Sequence, residues 1–510
     1  MLKKIRVILA TLCFVAITLL FLDFTGTLHG WLGWLAKIQF LPAVLALNLA
    51  VIVGLLVLTV LFGRIYCSVI CPLGVFQDAV AHLSRKGKKG KYSYSKELKW
   101  LRYGVWGLFV IALIAGVNAF VALLAPYSAW GRIVQNLLAP VWQWGNNLLA
   151  WLAERSGSYA FYSKEVWLRS LPTFVVAIVT LVVVVILAWK NGRTYCNTIC
   201  PVGTTLSFFS RFAMFRPAID KSMCKKCHQC EKKCKAACID IDGGMNIDYS
   251  RCVDCFDCID TCKFGGLKYR FAWKCKSKPV PEPVEGPDDK TRRAFLVGSA
   301  LALGGTALSG IKAKAQDTAA DEVEIEGEGG FADILPKKAP KRSVAITPFG
   351  SESVEKFYSH CTACQLCVAV CPNNVLRPSG SLNHLMQPEM SFEKGYCRPE
   401  CVKCSEVCPA GAILKITPEE KTQWKVGTAS INYLLCLAYN GEVEECGNCA
   451  RHCPTGAIRM VRKDPDAERS VRIPSVSEET CIGCGACENL CPARPVSAIT
   501  VDGYQIHHKA

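Results

Sequence analysis

The sequence predicts a multi-domain membrane protein in which a bundle of four to five transmembrane helices carries small, cysteine-rich α+β domains on both of its sides. Three observations predict this class. First, 51% of the 510 residues are hydrophobic, and many of them gather in four runs that are long enough to cross a bilayer. Second, the 31 cysteines lie in repeated short runs whose spacing is typical of metal ligands. Third, a segment with the composition of an export signal lies in mid-chain and separates two cysteine-rich regions.

These features divide the chain into six predicted parts. They are a transmembrane domain (1–215), a first cysteine-rich domain (216–275), a linker (276–290), a signal-like segment (291–315), an acidic tether (316–350) and a second cysteine-rich domain (351–510). The net charge of +17 raises the question of a nucleic-acid partner. We exclude one, because the basic residues lie beside the apolar runs and in the first cysteine-rich domain, with no groove-reading motif around them.

The four apolar runs define the transmembrane domain. They cover residues 5–24, 41–62, 101–125 and 171–189. Each has about the length that a helix needs to cross a hydrocarbon core of ~30 Å. Basic residues crowd before the first run, between the second and third, and after the fourth, whereas the loop between the first two contains only Lys37. The excess of basic residues in cytoplasmic loops therefore predicts that the N-terminus and the first cysteine-rich domain face the cytoplasm of a bacterial inner membrane.

The loop 126–170 is predicted to lie on the opposite side. Its tryptophans suit a helix that lies in the headgroup plane. They are Trp130, Trp142, Trp144, Trp151 and Trp167. Two roles of this loop remain as alternatives, a cap that packs over the helix bundle and a lid over a quinone site. The polar groups in or near the spans are His29, Asn48 and Asn118. Polar groups in lipid are costly, and we expect the asparagines to form hydrogen bonds between helices.

An internal repeat follows the second and fourth runs. Residues 63–74 and 192–203 are identical at eight of twelve positions, and each copy contains Cys-x3-Cys-Pro. Cysteines four apart share one face of a helical turn, and the proline then redirects the chain. Three interpretations stay open: one shared metal or redox cofactor site, two redox pairs, or a structural turn. The thiols concerned are Cys67, Cys71, Cys196 and Cys200.

The first cysteine-rich domain contains two runs with the spacing C-x2-C-x2-C-x3-C. This spacing is typical of bacterial ferredoxins with two [4Fe–4S] clusters, in which the fourth cysteine of each run ligates the other cluster. It favours iron–sulfur over zinc. The first predicted ligand set is Cys224, Cys227, Cys230 and Cys262, and the second is Cys252, Cys255, Cys258 and Cys234.

Some neighbours of these runs depart from the usual pattern. Lys235 and Lys263 replace the prolines that normally follow the fourth cysteines. Lysines surround the runs and suggest either an acidic partner or a solvated surface. They are Lys225, Lys226, Lys232, Lys233 and Lys235. Cys13, Cys238 and Cys275 fall outside the runs and are expected to be buried as small apolar residues.

The segment 291–315 begins with Arg292 and Arg293, continues with an apolar stretch and ends in Ala-Lys-Ala at Ala315. This order resembles a twin-arginine (Tat) export signal, and a fifth transmembrane helix is the alternative. A Tat route suits a domain that folds around its clusters before export. The chain is either cleaved after Ala315 or retained as a tether, and we expect retention.

The second cysteine-rich domain contains four further runs, each ending in Cys-Pro. Exchange of the fourth ligands between neighbouring runs predicts four more [4Fe–4S] clusters, six in all. The nine residues between Cys436 and Cys446 leave room for another ligand in place of Cys436. The predicted sets are Cys361, Cys364, Cys367 and Cys408; Cys397, Cys401, Cys404 and Cys371; Cys436, Cys446, Cys449 and Cys491; and Cys481, Cys484, Cys487 and Cys453.

With these motifs, the chain resembles two known families joined together. Residues 1 to about 280 resemble NapH-type membrane ferredoxins, and the repeat around Cys67 and Cys196 is the most specific marker. Residues from about 290 resemble Tat-exported ferredoxins of the NapG/MauM type. The resemblance implies oxidation of quinol and delivery of electrons to periplasmic reductases such as nitrate reductase. The fusion and the two lysines in place of prolines depart from the family pattern.

The functional expectation is a quinol dehydrogenase module that contains no active site of its own for other chemistry. The sequence has no dinucleotide-binding fingerprint and no nucleophile constellation. Clusters on opposite sides of a ~30 Å core lie too far apart for direct transfer, so menaquinol or ubiquinol from the membrane pool is expected to connect them. The expected partners are a periplasmic reductase or cytochrome and the Tat translocase. The alternative is a maturation or regulatory factor that activates a partner metalloenzyme without steady turnover.

Overall fold

A computed structural model describes residues 1–84, 92–158, 160–272, 335–443, 445–466 and 470–509. The described residues within Met1–Lys274 and Pro336–Ala510 belong to one packed unit. The predicted linker, the signal-like segment with its cleavage site and residues 316–334 of the tether lie outside the described residues. Cys275 lies outside them as well.

Short and long helices build the predicted transmembrane domain, with two π-helical turns at Val134–Leu138 and Tyr195–Ile199. The helices are α1 (Leu2–Leu22), α2 (His29–Leu32), α3 (Trp34–Lys37), α4 (Phe40–Leu45), α5 (Leu49–Phe62), α6 (Ile65–Val69), α7 (Pro72–Leu83), α8 (Lys99–Ile114), α9 (Asn118–Leu124), α10 (Pro126–Ile133), α11 (Ala139–Arg155), α12 (Leu171–Asn191) and α13 (Pro201–Ser210).

Among the described residues, α1 and α12 are the two helices that are long and apolar enough to span a membrane. Each has 21 residues and is therefore about 31 Å long. Both helices leave large apolar side chains uncovered, with Ile8 59% exposed on α1 and Val179 55% exposed on α12. Uncovered apolar faces of this extent are typical of surfaces that contact lipid or a partner protein.

The second and third predicted spans are interrupted. The second divides between α4 and α5, where Leu47 adopts a left-handed φ of 52° and Asn48 caps the next helix by accepting a hydrogen bond from the Val51 amide (3.3 Å). The third divides between α8 and α9 at Gly116, whose φ is 74°. The prediction of four continuous spans is therefore wrong for these two runs, because a left-handed residue ends the helical hydrogen-bond ladder.

The tryptophan-rich loop is also helical and divides into a buried and an exposed part. Every residue of α10 is buried, including Trp130, which is only 3% exposed and therefore does not lie in a headgroup layer. On α11, in contrast, Trp142, Trp144 and Trp151 are exposed as expected of an interfacial helix. Trp167 contacts the second cysteine-rich domain, where the guanidinium of Arg377 lies 4.7 Å from its ring.

The cysteine-rich domains consist of short helices and two-stranded antiparallel sheets. The first domain contains β1 (Phe215–Ile219), α14 (Gln229–Lys233), β2 (Ile239–Asp240), β3 (Asn246–Ile247), α15 (Asp257–Thr261) and β4 (Leu267–Phe271). The strand β1 pairs with β4, with Pro217 opposite Tyr269, and β2 pairs with β3. This arrangement is the α+β ferredoxin pattern that the sequence predicts.

The second domain repeats this pattern on a larger scale. Its elements are α16 (Val354–His360), α17 (Leu366–Val370), β5 (Leu376–Pro378), β6 (Pro388–Met390), α18 (Lys403–Val407), α19 (Pro418–Gln423), β7 (Trp424–Ile431), α20 (Asn448–Arg451), β8 (Ile458–Arg462), β9 (Arg472–Val476), α21 (Ala486–Leu490) and β10 (Ile499–Lys509). The sheets pair β5 with β6, β7 with β10 and β8 with β9. The predicted tether is shorter than expected, because Ile346 and Phe349 are buried in this domain.

The two cysteine-rich domains contact opposite ends of α1. At its start, the Lys3 ammonium lies 3.3 Å from the Asp257 carboxylate and 3.0 Å from that of Asp260, both in the first domain. Just beyond its other end, the carbonyl of Thr25 accepts a hydrogen bond (2.8 Å) from Lys403 of the second domain. The length of α1 therefore separates the two domains.

The helix α12 has the same arrangement in the reverse direction. Before its start, Arg169 donates a hydrogen bond (3.0 Å) to the Val368 carbonyl of the second domain. After its end, the Arg193 amide donates one (2.9 Å) to the Lys235 carbonyl of the first domain. Asn118, expected in a helix–helix contact, instead donates to the carbonyls of Tyr358 and Ser359 in α16. These polar contacts dock both domains on the apolar helices.

Candidate iron-sulfur site

The structure brings the predicted ligands of the first domain together around two cavities. The packed helices α14 and α15 each carry part of one cysteine run, so the fourth cysteine of each run lies beside the other run. One cavity is lined by Cys224, Cys227, Cys230 and Cys262. The other is lined by Cys234, Cys238, Cys252, Cys255 and Cys258. These groupings correspond to the predicted exchange of fourth ligands, with Cys238 as an addition.

The second domain has two further cavities of the same kind. One is lined by Cys371, Cys397, Cys401 and Cys404. The other is lined by Cys436, Cys446, Cys449 and Cys491. Cys436, whose place the sequence left open, is therefore brought to the other three by the turn after the 3-10 helix Tyr433–Leu435.

The two remaining predicted sets are also close groups of buried thiols. Cys361, Cys364 and Cys367 interact electrostatically with Cys408. Cys484 and Cys487 interact in the same way with Cys481 and with Cys453. Burial raises the pKa of Cys364 to about 11 and that of Cys484 to about 12. Since ligands must be thiolates, positively charged iron has to offset this cost of burial.

The order of these cysteines along the chain fits a cluster better than a single ion. Zinc bound by cysteines needs four sulfur atoms at about 2.3 Å from one centre. Among the residues that the structure describes, no three Cys, His, Asp or Glu side chains converge tightly enough for one ion. The iron–sulfur cubane is larger and holds its four thiolates further apart. Each run supplies three cysteines to one cubane and a fourth to its neighbour, so the cysteine sets are suited to [4Fe–4S] clusters.

A buried lysine contacts one of the predicted ligands in the second domain. The Lys421 ammonium lies 3.2 Å from the Cys397 sulfur and also donates to the carbonyls of Arg398 (2.5 Å) and Cys401 (2.6 Å). Hydrogen bonds and charges next to the sulfur atoms tune the potential of a cluster. The sequence did not indicate Lys421, because 20 or more residues separate it from these partners.

Lys235 and Cys238 occupy places that the sequence did not predict. Lys235, grouped above with lysines on the surface, is buried and lies 2.9 Å from the Asp257 carboxylate and 3.5 Å from that of Asp78. It therefore joins the first domain to α7 of the transmembrane domain and is not available to steer a partner. The Cys238 sulfur lies 3.5 Å from that of Cys234, so it is a neighbour of the predicted ligands.

The two Cys-x3-Cys-Pro repeats meet in the core of the predicted transmembrane domain. All four thiols are buried there. The guanidinium of Arg64 donates a hydrogen bond (3.0 Å) to the Cys196 carbonyl, and that of Arg193 donates one (2.8 Å) to the Cys67 carbonyl. The two copies are therefore related by a local two-fold arrangement, in which each arginine crosses to the opposite repeat.

A cavity of about 580 Å³ lies between the start of α1, the helix α7 and the first cysteine-rich domain. One wall is apolar and belongs to the helices, and the other is charged. The apolar wall contains Val7, Ala10, Val75 and Ala79, and the charged and polar residues include Lys3, Arg6, Asp78, His82, Lys235 and Asp257. Asp257 stands between two predicted cluster ligands, so the cavity adjoins a predicted cluster.

Comparison with known proteins agrees with this geometry. Residues 354–377 match a family model described as a 4Fe-4S binding domain, and residues 444–494 match one described as a 4Fe-4S dicluster domain. Residues 44–91 and 173–221, which contain the two repeats, each match a further model described as a 4Fe-4S binding domain. The ferredoxin-type protein NapF of Escherichia coli K12 is 31% identical over 176 residues, which cover 34% of this chain and 94% of NapF.

The chain belongs to the family of ferredoxin-type proteins. A second relative, the methylamine utilization ferredoxin-type protein MauM of Methylorubrum extorquens, is 28% identical over 40% of this chain and 86% of MauM. A third, YccM of Escherichia coli K12, is named as an electron transport protein and is 22% identical over 46% of this chain and 61% of YccM. The matched domains and relatives support an iron–sulfur electron-transfer role for this ferredoxin-type protein. The NapH-type fusion and Tat export stay predictions.

Proposed function

We propose that this ferredoxin-type protein is a membrane-bound quinol dehydrogenase module, which oxidises menaquinol or ubiquinol and passes electrons through its second cysteine-rich domain to a periplasmic acceptor. The observation that carries the proposal is the docking of the two cysteine-rich domains at opposite ends of α1 and α12. A membrane around these apolar helices separates the domains by about the thickness of its hydrocarbon core.

The charges at the helix ends support one orientation in a bacterial inner membrane. Lys3, Lys4 and Arg6 lie at the start of α1, on the side of the first cysteine-rich domain. Cytoplasmic ends of transmembrane helices are enriched in lysine and arginine. The first domain is therefore assigned to the cytoplasm and the second, with four predicted clusters, to the periplasm. A reductase or cytochrome in the periplasm is the corresponding partner.

The cavity between α1, α7 and the first domain is the proposed quinol site. Its volume of about 580 Å³ is within the 300–1,000 Å³ that is usual for small-molecule sites. The apolar wall suits the isoprenoid tail, and the charged wall suits the hydroxyl groups of the ring. Oxidation of one quinol releases two electrons and two protons, and the electrons reduce two clusters by one each. His82 lines the cavity, and its imidazole is the proposed first proton acceptor.

Filling the cavity tests this proposal. Ala79 lies on the cavity wall, so Ala79→Trp in the full-length, cluster-loaded protein should slow reduction of the clusters by a soluble quinol by at least about tenfold. Leu83→Trp is the matched control, because Leu83 lies on the same helix, is exposed and does not line the cavity. The measurement is stopped-flow absorbance of the clusters in detergent under anaerobic conditions. Equal rates in the two variants would contradict the quinol site.

The rate in the unmodified protein separates this function from the second candidate. Reduction that keeps pace with turnover of a membrane reductase supports the quinol dehydrogenase. Slow reduction of less than one cluster per chain supports the maturation or regulatory role instead. The buried position of Lys235 favours the quinol dehydrogenase. Its ammonium joins the first cysteine-rich domain to the cavity wall and is not exposed for a soluble partner.

A further inference from the structure

We propose that Cys67, Cys71, Cys196 and Cys200 together hold a seventh iron–sulfur cluster in the core of the transmembrane domain. The cluster would be shared equally by the two repeats, with two ligands from each. It would lie between the two cysteine-rich domains and connect them. This proposal does not depend on the quinol site, because it concerns how electrons cross the helices and not where they enter.

The crossed arginines bring the first cysteines of both repeats to the same place. The Arg64 guanidinium that bonds the Cys196 carbonyl also lies 4.0 Å from the Cys67 sulfur. In the same way, the Arg193 guanidinium that bonds the Cys67 carbonyl lies 3.8 Å from the Cys196 sulfur. Each guanidinium therefore contacts a cysteine of both repeats, and the four thiols interact electrostatically with one another.

Glycines that both repeats contain make this crossing possible. A Cβ atom on Gly74 would lie 2.2 Å from the Cys67 carbonyl and 2.7 Å from the Arg193 guanidinium. A Cβ atom on Gly203 would lie 2.4 Å from the Cys196 carbonyl and 2.6 Å from the Arg64 guanidinium. The Gly, Arg and Cys positions that are identical in the two copies are therefore the ones that build the shared centre.

The charge balance around the thiols calls for a negative group. Arg64 is fully buried, and its guanidinium bonds the side-chain oxygen of Asn197 (2.8 Å) and the Ser250 carbonyl (3.1 Å), both neutral. The Asp254 carboxylate interacts electrostatically with Arg64, but its hydrogen bond (3.0 Å) comes from the Arg64 backbone amide. Among the described residues, no carboxylate forms an ion pair with the guanidinium itself, whose Nε atom is buried without a hydrogen-bond partner. A buried charge needs compensation. A cluster with four thiolate ligands is anionic and supplies it at this position.

The comparison with family models points to the same chemistry. Each copy of the repeat, within residues 44–91 and 173–221, matches a model described as a 4Fe-4S binding domain. Each copy supplies two cysteines, whereas a cubane needs four ligands. Because the structure places the two copies side by side, they complete one ligand set. A purely structural turn would not account for two buried guanidinium groups that each lie within about 4 Å of a thiol of the repeats.

The position of the centre suits an intermediate step between the two domains. On one side, Asn197 donates a hydrogen bond (3.4 Å) to the Ala236 carbonyl of the first domain. On the other side, α7 begins directly after Cys71 and packs on α10, where the Phe76 and Trp130 rings lie 5.1 Å apart. The next residue of α10 is Gly131, whose Cβ position would lie 2.4 Å from the Cys364 carbonyl of the second domain.

Electrons can therefore cross the helices in shorter steps. The cluster accepts one electron from one side and releases it to the other, with no bond made or broken. The proposed cluster adds a fixed route between the two domains to the mobile quinol that the sequence leads us to expect.

The iron content of the full-length protein tests the proposal. Chains loaded under anaerobic conditions should contain about 28 irons, and the double variant C71A/C200A should contain about 24, on the cubane stoichiometry. Cys13→Ala is the control, because Cys13 belongs to none of the sets, and it should leave the content unchanged. Equal iron contents in the double variant and the control would overturn the proposal.

A second variant covers the case in which loss of two cysteines prevents folding. Arg64→Gln keeps all four thiols and removes the positive charge beside them. It should lower the reduction potential of one cluster and leave the other potentials and the iron content unchanged, as followed by redox titration with EPR. Unchanged potentials of all clusters would contradict the assignment. Neither test uses quinol, so failure of the seventh-cluster proposal is distinguishable from failure of the proposed quinol site.

Discussion

Replacement of Lys421 by glutamine should lower the reduction potential of the cluster assigned to Cys371, Cys397, Cys401 and Cys404. The Lys421 side chain is only 1% exposed, and its ammonium lies 3.2 Å from the Cys397 sulfur. A cluster becomes more negative when it is reduced, so a nearby positive charge stabilises the reduced form. Glutamine keeps a hydrogen-bond donor of similar length but removes this charge.

The size of the effect follows from the strength of the contact. Hydrogen bonds to charged groups contribute about 1.5–3 kcal/mol. If about half of the larger value acts only on the reduced form, the Lys421 contact stabilises the reduced cluster over the oxidised cluster by about 1.5 kcal/mol. For a one-electron couple, 59 mV corresponds to a tenfold change, or about 1.4 kcal/mol. The potential of this cluster should therefore fall by about 60 mV.

Redox titration of the purified, full-length protein with EPR detection measures the shift. Lys415→Gln is the matched control, because Lys415 belongs to the same domain, carries the same charge and is exposed. It should shift the potential by less than about 10 mV, since solvent screens an exposed charge. A shift in Lys421→Gln that is no larger than in the control would refute the proposed role of this lysine.

Three further predictions concern the repeat, a buried histidine and the clusters themselves. Gly74→Ala should destabilise the protein by about 1–3 kcal/mol through overpacking against the Arg193 guanidinium. Gly54→Ala, which meets no atom within 4 Å, should not, and thermal unfolding in detergent compares the two. Burial lowers the pKa of His507, so the folded protein favours the neutral imidazole. The contribution of His507 to the free energy of unfolding is therefore complete above pH ~6.5 and is lost as the pH falls below it. His507→Asn should flatten this dependence of the unfolding midpoint between pH 7.5 and 5, and an unchanged slope would contradict it. Removal of iron by a chelator should increase hydrogen exchange across the second cysteine-rich domain, because its ligands hold short helices in place, whereas α1 and α12 should keep their protection.

The cysteine sets show how much of a cluster site can be predicted from the spacing of residues along the chain. In five of the six predicted sets, three ligands lie within a stretch of about ten residues, so their geometry is encoded locally and the sequence predicts it. Cys436 lies further from Cys446 and Cys449, and the sequence left its place open. The fourth ligand comes from the neighbouring run, and knowledge of the motif is enough to assign it. The structure places Cys262 and Cys408, for example, beside the sets that the sequence predicts. Ligation itself stays a prediction that iron analysis can test.

The apolar helices show where a local pattern is insufficient. Hydropathy finds four apolar runs, but it does not register that Leu47 and Gly116 adopt left-handed conformations, which divide the second and third runs. The composition of a run sets its solvation, whereas the hydrogen-bond ladder of a helix is broken by the conformation of one residue. The predicted four- to five-helix bundle is therefore reduced to two continuous helices of spanning length among the described residues.

The sequence by itself determined the family, the cysteine runs and the internal repeat, because each depends on residues that lie close together in the chain. The tertiary structure decided what these parts do to one another. It joined the two repeats through Arg64 and Arg193, buried Lys235 and Lys421 beside predicted clusters, and docked the two cysteine-rich domains at opposite ends of the same helices. These contacts join residues 20 to more than 300 positions apart, and such contacts form only when the whole chain packs.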